Sequence, residues 1–214
     1  MEIKFNNFLI TGGTGFIGSH LVQALLTQKK FVITTYRTHN HNLFFFRQKL
    51  DHQAVLCHCD IHDYDQILEI ILKYRIDCII HLAAQSLVDV AYYQPKLSLS
   101  TNILGTINIL EAARLLPNIK GVIIASSDKA YGKSNQPYIE TDPLRGDHPY
   151  EVSKSAEDLI AQAYYKTYQI PVVITRFGNV YGEGDLHGFS ISLPKVSRRR
   201  LSIKVVRLEQ VAIR

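Results

Sequence analysis

A glycine-rich turn near the start of the chain constrains the fold more than any other sequence feature. The sequence TGGTGFIG begins at Thr11 and separates a short apolar run at 8–11 from an amphipathic segment at 16–28. Glycines at such a junction permit a tight turn, close packing of helix on strand, and the approach of a diphosphate to free N–H groups of the helix. We therefore predict a nucleotide-binding strand–turn–helix unit. Its predicted contact residues are Gly12, Gly15, Phe16, Ile17 and Gly18.

Strand-like and helix-like segments alternate along the rest of the chain. Runs rich in Val, Ile and Thr lie at 31–36, 54–59, 77–81, 121–125 and 171–175, and helical periodicity lies at 64–74, 97–115 and 149–168. Nearly continuous apolar strands separated by helices are typical of a parallel sheet covered on both faces. The predicted fold class is α/β, a Rossmann-type doubly wound parallel sheet.

Composition excludes several other classes of protein. The 214 residues are 46% apolar and 20% charged, which is enough for a sizeable core and too apolar for a disordered chain. The sequence shows no apolar run of bilayer length and no secretory leader, and its three cysteines cannot form a disulfide framework, so we expect a cytoplasmic protein. Cys57 and Cys59 lack the second ligand pair of a zinc site, so we predict core packing and no metal.

The positive charge of the chain is concentrated near its end. The whole chain has a net charge of +5, and residues 190–214 alone carry +6. Residues 1–189 therefore carry a net charge of −1. The basic segment has no aromatic side chains between its arginines and no recognisable nucleic-acid-binding motif. The positive charge is the only feature that supports a nucleic-acid partner, and charge alone is weak evidence. We therefore do not predict a nucleic-acid partner.

The second predicted strand ends without the acid that commonly contacts the ribose of NAD. That acid is expected about 20 residues after the glycine turn. Here the strand ends at Arg37, and the first acid after the turn is Asp51. Arg37 could contact the 2′-phosphate of NADP, or it could be a solvent-exposed loop residue, and the sequence favours the two equally. The residues leave the choice between NAD and NADP open.

Tyr150 and Lys154 form the first candidate catalytic pair. They are four residues apart in a predicted helix and therefore share one face. A nearby ammonium stabilises phenolate and lowers the pKa of a tyrosine toward working pH. Ser127, Asp128 and Lys129 follow the fifth predicted strand, and the ends of parallel strands are where ligands bind.

These segments, in this order, resemble the extended short-chain dehydrogenases/reductases, the NAD-dependent nucleotide-sugar epimerases and dehydratases. The resemblance covers residues 7 to about 185. It includes TGGTGFIG from Thr11, HLAAQ from His81, SSDKAYG from Ser126, YEVSK from Tyr150 and RFGNVYG from Arg176. It implies NAD as cofactor, with NADP possible, and a nucleotide sugar as substrate.

The resemblance also implies a role for each matching residue. Tyr150 would take the proton of the sugar hydroxyl, Lys154 would hold the ribose hydroxyls, and Ser127 would hydrogen-bond the reacting oxygen. Further cofactor contacts would come from Asp60, Ile61, Leu82, Ala83, Ala84, Asn102 and Phe177. Substrate contacts would come from Gln85, Ser127 and Asn179.

Asp128 and Lys129 favour one branch of this family. Epimerases of the family carry small or neutral residues after the catalytic serine, whereas a 4,6-dehydratase must also remove the C5 proton and expel the C6 hydroxyl. The Asp-Lys pair is similar to that of CDP-glucose 4,6-dehydratases and of some UDP-N-acetylglucosamine 4,6-dehydratases, and the segments around it most resemble the CDP-glucose branch. In this reading Asp128 would protonate the leaving hydroxyl, and Lys129 would act as the C5 base or support a base there. The alternatives are an ordinary ion pair, and an epimerase or reductase.

The resemblance divides the chain into two parts. Residues 1–185 are predicted to form the NAD(P)-binding domain, and 186–214 a basic tail in place of the family's substrate lobe. We expect a truncated chain. A nucleic-acid-binding tail and a non-catalytic dinucleotide-binding module are the alternatives. A homodimer is the candidate assembly.

Overall fold

One parallel sheet organises the computed structural model, which describes residues 4–186. Its six strands lie in the order β3-β2-β1-β4-β5-β6, and every neighbouring pair is parallel. The strands are β1 Asn7–Thr11, β2 Phe31–Tyr36, β3 Val55–His58, β4 Cys78–His81, β5 Gly121–Ser127 and β6 Val172–Phe177. The order reverses between β1 and β4, so ligand binding is expected beyond the ends of these two strands. The predicted doubly wound α/β class is confirmed.

Helices connect the strands and cover both faces of the sheet. They are α1 Phe16–Thr27, α2 Phe44–Arg47, α3 Tyr64–Lys73, α4 Val88–Tyr93, α5 Pro95–Leu115 and α6 Pro149–Tyr168, with 3₁₀ turns at Leu50–His52 and Asp128–Tyr131. The bounds predicted for β2 and α6 agree with the structure, and the other predicted elements end within two residues of the observed ones. The short helix α4 is not among the predicted elements.

Alternation along the strands produces two core layers. In β1, Leu9 points into the layer under α3, α5 and α6, whereas Phe8 and Ile10 point into the layer under α1 and α2. Phe45 and Phe46 fill the second layer. Because side chains alternate with period two, each strand is apolar on both faces.

The cysteines belong to the apolar core. Cys59 is buried in the first layer and Cys57 packs against it, as predicted. Within residues 4–186, no cluster of three His, Cys, Asp or Glu side chains could hold a metal ion. No helix in this part of the chain has the length and apolar character needed to cross a membrane. Residues 187–214, which include nearly all of the predicted basic tail, lie outside the described residues.

Candidate functional site

A cleft of about 800 Å³ lies at the carboxyl ends of the strands, at the point where the strand order reverses. Nearly all residues predicted for the site line this cleft. They are Gly12, Gly15, Phe16, Ile17, Gly18, Arg37, Asp60, Ile61, Leu82, Ala83, Ala84, Gln85, Ser127, Lys129, Tyr150, Lys154, Phe177 and Asn179. The two predicted residues that do not line it are Asn102 and Asp128.

The glycines of the turn serve two different purposes. Gly12 has φ +69°, and a Cβ there would lie 2.9 Å from the backbone of Ala83. A Cβ on Gly18 would lie 2.6 Å from the Cα of Gly13. At Gly15 the corresponding atom would approach only the carbonyl oxygen of Gly12, at 3.2 Å. Gly12 and Gly18 therefore allow the backbone to pack on itself, whereas Gly15 keeps the cleft open.

The start of α1 presents free N–H groups to the cleft. Gly15 is the N-cap, no side chain caps the helix, and no acid lies in its first turn. Phe16, Ile17 and Gly18 carry N–H groups that lack intrahelical acceptors, and all three residues line the cleft. Such an uncapped N-terminus favours an anion through both its N–H groups and the helix dipole.

Asp60 supplies a carboxylate where β2 supplies none. It follows β3 and accepts hydrogen bonds from the backbone N–H of His62 at 3.0 Å and from its ring Nδ1 at 2.7 Å. The backbone N–H is the main reason that the pKa of Asp60 lies below its ordinary value. Arg37 is exposed at the end of β2, where it lines the same end of the cleft. Proteins that bind NAD commonly place one acid at the end of the second strand. In this chain Arg37 follows that strand, and the carboxylate of Asp60 follows the third.

Ser127 ends β5 in a hydrogen-bonded corner. Its Oγ accepts from the backbone N–H of Lys129 at 3.2 Å and lies 3.1 Å from Oδ1 of Asp128. Lys129 Nζ lies 3.6 Å from Oδ2 of Asp128. The ion pair considered as an alternative is therefore present. Lys129 is the member of the pair that lines the cleft, and Asp128 is half-buried and accepts from Oγ of Ser127.

Tyr150 and Lys154 come to the cleft on the first turns of α6. The helix begins at Pro149, and Nδ1 of His148 caps the N–H of Tyr150 at 3.3 Å. Tyr150 is 8% exposed and Lys154 is 4% exposed. Lys154 Nζ donates to the carbonyl of Ala125 at 3.0 Å, which ties α6 to the end of β5. The two side chains share one face, as the spacing predicts.

Glu157 is a buried partner of Lys154 that sequence reasoning missed. Its carboxylate oxygens lie 3.0 and 3.2 Å from Lys154 Nζ, and both side chains are almost completely buried. Burial raises the pKa of Glu157 to about 7, and the charge of Lys154 opposes that rise. The i,i+3 spacing is the signal that could have found the pair, but the same spacing occurs in exposed pairs on many helices.

A second buried ion pair holds α6 against β6. Asp158 accepts from Nε of Arg176 at 2.6 Å and from its Nη2 at 3.0 Å. Arg176 also donates to the hydroxyl of Tyr131 and to the carbonyl of Glu140. The network joins the helix that carries Tyr150 to the segment that follows Ser127.

His81 supports the cleft from within the sheet. Its Nδ1 lies 2.7 Å from Oγ1 of Thr11, and that oxygen accepts from the backbone N–H of Ala83 at 3.2 Å. Burial, with a smaller contribution from the charge of Lys154, lowers the pKa of His81 to about 3. The ring is therefore neutral and has a structural role, as expected for a histidine at the end of a buried strand.

Asn102 does not line the cleft, and its side chain hydrogen-bonds to residues beside it. It is fully buried on α5, where its Oδ1 accepts from the N–H of Gln85 at 2.7 Å. Its Nδ2 donates to the carbonyl of Gln85 and to Oγ of Ser153. The amide of Asn102 thus joins the Gln85 loop to α6, and its predicted contact with cofactor stays a prediction.

A doubly wound sheet with a glycine turn at its switch point, and with serine, tyrosine and lysine on one cleft, defines an extended short-chain dehydrogenase/reductase. Comparison with known families identifies the family to which the chain belongs. The chain belongs to the GDP-mannose 4,6 dehydratase family, whose sequence profile matches residues 9–213. The match includes most of the basic segment.

Similar proteins of known name include both dehydratases and epimerases. A dTDP-D-glucose 4,6-dehydratase of Dictyostelium discoideum is 34% identical over an alignment of 201 positions, which covers 85% of this chain and 45% of the relative. A CDP-glucose 4,6-dehydratase of Salmonella typhimurium is 32% identical over 82% of this chain and 52% of its own length. This chain therefore spans about half the length of the curated relatives it matches.

Solved structures show the same mixture of activities. A dTDP-glucose 4,6-dehydratase from Bacillus anthracis in complex with NAD has a TM-score of 0.74 and 32% identity, covering 84% of this chain and 56% of that one. A UDP-glucose 4-epimerase from Thermus thermophilus in complex with NAD has a TM-score of 0.75 and 32% identity, covering 86% and 59%.

Proposed function

We propose that the chain binds NAD in the cleft and forms the catalytic part of a nucleotide-sugar 4,6-dehydratase. The observation that carries this proposal is the presence of Ser127, Lys129, Tyr150 and Lys154 on the same cleft as the uncapped start of α1. The relatives named as dehydratases and the structures crystallised with NAD support it.

The residues along the cleft indicate the orientation in which NAD would bind. The diphosphate fits over the N–H groups of Phe16 to Gly18, and the adenosine ribose is expected toward the ends of the second and third strands. Arg37 and Asp60 lie at that end. The nicotinamide then extends toward Ser127, Tyr150 and Lys154, at the ends of β5 and α6.

The residues at the nicotinamide end can carry out the first step. The phenolate of Tyr150 would accept the proton of the sugar C4 hydroxyl, Ser127 would hydrogen-bond the same oxygen, and the ammonium of Lys154 would stabilise the phenolate. NAD held in the cleft would supply the hydride acceptor for C4 and the hydride donor for C6. The resulting C4 ketone acidifies the proton on C5.

The second step uses the pair that follows the serine. Lys129, on the cleft wall, removes the C5 proton or supports its removal. Asp128, in contact with Ser127 and Lys129, supplies the proton with which the C6 hydroxyl leaves as water. With hydride restored at C6, Lys129 would return a proton to C5, and these two additions would complete a 4-keto-6-deoxy sugar with no net consumption of cofactor.

The test combines binding with product analysis. NAD affinity is measured by calorimetry on the folded chain, and CDP-glucose, dTDP-glucose, GDP-mannose and UDP-glucose are each incubated with equimolar protein and NAD in deuterated water. We expect CDP-glucose to lose one water and to gain deuterium at C5. Tyr150→Phe should keep NAD affinity and form no product, and Asp128→Asn should accumulate reduced cofactor, visible in the near-ultraviolet.

Two outcomes would redirect the proposal. Inversion at C4 without loss of water or deuterium at C5 would indicate an epimerase, which the UDP-glucose 4-epimerase structures also support. NAD binding without any product would favour a non-catalytic dinucleotide-binding module. A folded chain with no affinity for NAD would refute the proposal altogether.

We also propose a homodimer as the assembly. Leu97, Leu104 and Leu159 are exposed on α5 and α6, which pack side by side. Light scattering on the purified chain measures the mass directly, and a monomer at micromolar concentration would contradict this part of the proposal.

A further inference from the structure

The ammonium of Lys154 is almost fully committed to protein partners. Of its three N–H donors, one is directed to the carbonyl of Ala125 and at least one to the carboxylate of Glu157. Lys154 still lines the cleft. At most one N–H is therefore free to bind a ligand there, and the direction of that N–H is set by the other two contacts.

The carboxylate of Glu157 also balances the charge of Lys154. Asp158, the next residue, is already paired with Arg176 of β6, and His81 at the end of β4 is neutral. The buried residues of α5, the helix packed along α6, are all uncharged, as are the residues of β5. In the described part of the chain, Glu157 is the one carboxylate paired with Lys154.

We propose that Glu157 is a positioning residue that neutralises Lys154 and so favours the oxidised nicotinamide over the reduced one at this end of the cleft. The inference rests on the proposed function, because it requires NAD in the cleft. The oxidised ring is cationic and the reduced ring is neutral, so an uncompensated ammonium nearby repels only the oxidised form. The first step of the proposed reaction needs the oxidised form.

Protonation of Glu157 should reverse this preference. Since burial raises the pKa of Glu157 to about 7, the carboxylate is ionised at pH 8 and largely protonated at pH 6. His81 stays neutral across this range, because burial lowers its pKa to about 3. The affinity for oxidised cofactor, relative to reduced cofactor, should therefore fall as the pH falls from 8 to 6.

Calorimetry with NAD⁺ and with NADH at pH 8 tests the proposal on the full chain. Glu157→Gln keeps the shape and the acceptor oxygen but removes the charge. We expect the ratio of Kd for NAD⁺ to Kd for NADH to rise roughly tenfold, the effect of one unit charge about 10 Å away at an effective dielectric constant of ~20. Glu69→Gln, which removes the same charge from an exposed site on α3, should leave the ratio unchanged.

Each outcome bears on the proposal. Glu157→Asp, which keeps the charge, should retain the wild-type ratio. An unchanged ratio in a folded Glu157→Gln variant would overturn the role of Glu157 while leaving NAD binding intact. Failure of the folded wild type to bind either cofactor would overturn the proposed function and this inference with it. If Glu157→Gln does not fold, the wild-type ratio decides: because Glu157 changes from mostly ionised to mostly protonated between pH 8 and pH 6, a rise of about fivefold supports the proposal, and a constant ratio refutes it.

Discussion

The Gly15→Ala variant tests whether the glycine turn contributes to NAD affinity independently of its contribution to stability. Gly15 has φ −72°, which any residue adopts, and an added methyl group would approach only the carbonyl oxygen of Gly12. The methyl group therefore projects into the cleft, where the diphosphate is expected. Gly18→Ala is the matched comparison, because its methyl group would collide with the backbone of the turn itself.

The two variants should differ in both stability and affinity. At Gly15, loss of a favourable N-cap costs about 1 kcal/mol, and the stiffer unfolded chain offsets about 0.4–1 kcal/mol of that. Each hydrogen bond from an N–H to a charged diphosphate oxygen contributes about 1.5–3 kcal/mol. Displacement of the diphosphate from one such N–H should raise the Kd for NAD roughly 10- to 150-fold.

Calorimetric titration with NAD and thermal unfolding followed by circular dichroism measure the two effects. For Gly15→Ala we expect a Tm within about 3 °C of the wild type, together with the weakened binding. For Gly18→Ala we expect a clearly larger fall in Tm. Wild-type affinity in a folded Gly15→Ala variant would refute the argument that the diphosphate lies over the start of α1.

Three further predictions follow from the buried and exposed charges. Asp158→Asn leaves Arg176 without its buried carboxylate and should lower the free energy of unfolding by about 3–5 kcal/mol in urea titrations; a loss under about 1 kcal/mol would contradict the pairing. Because the folded pKa of His81, about 3, lies below its ordinary 6.5, His81 contributes stability that is complete above pH 6.5 and is lost as the pH falls. Between pH 7 and pH 5, His81→Gln should therefore lose about 2 kcal/mol less stability than the wild type, and equal losses would place the ring in solvent. Arg37→Ala should weaken NADP binding at least ~10-fold and leave NAD binding unchanged if Arg37 contacts the 2′-phosphate, whereas equal affinities in both proteins assign it to solvent.

The fold was predictable because the strands and helices differ in hydrophobic period. The run at β2 was located to the residue because it is a continuous run of β-branched and aromatic residues between Lys30 and Arg37. The helix α6 was located to the residue because it begins at Pro149 and ends three residues before Pro171. The helix α4 escaped prediction because it is short, buries only Ala91, and exposes Tyr92 and Tyr93. A single helical turn without an apolar stripe leaves no periodic signal.

The site was predictable wherever residues follow strand ends. The carboxyl ends of parallel strands lie at one edge of the sheet, so the glycine turn, Asp60 and Ser127 had to lie near one another. The partnership of Lys154 and Glu157 was not predictable, because its importance comes from burial under α5 rather than from spacing. Sequence also could not distinguish residues on the cleft wall from those one layer behind it, such as Asn102.

The pairing of β1 with β4 determines when the cleft can form during folding. β1 pairs with β2 over a sequence separation of 24 residues, as in the pair Asn7 and Phe31. Its other neighbour is β4. There the hydrogen bonds between Thr11 and His81 and between Thr11 and Ala83 span 70 and 72 residues. Closing so long a loop is slower than pairing nearby segments. A refolding chain in which only β1 and β2 have paired therefore has the glycine turn, but the side of the cleft formed by residues after β4 and β5 is still missing. Recovery of cofactor affinity should thus lag behind the recovery of secondary structure, and it reports the completion of long-range assembly.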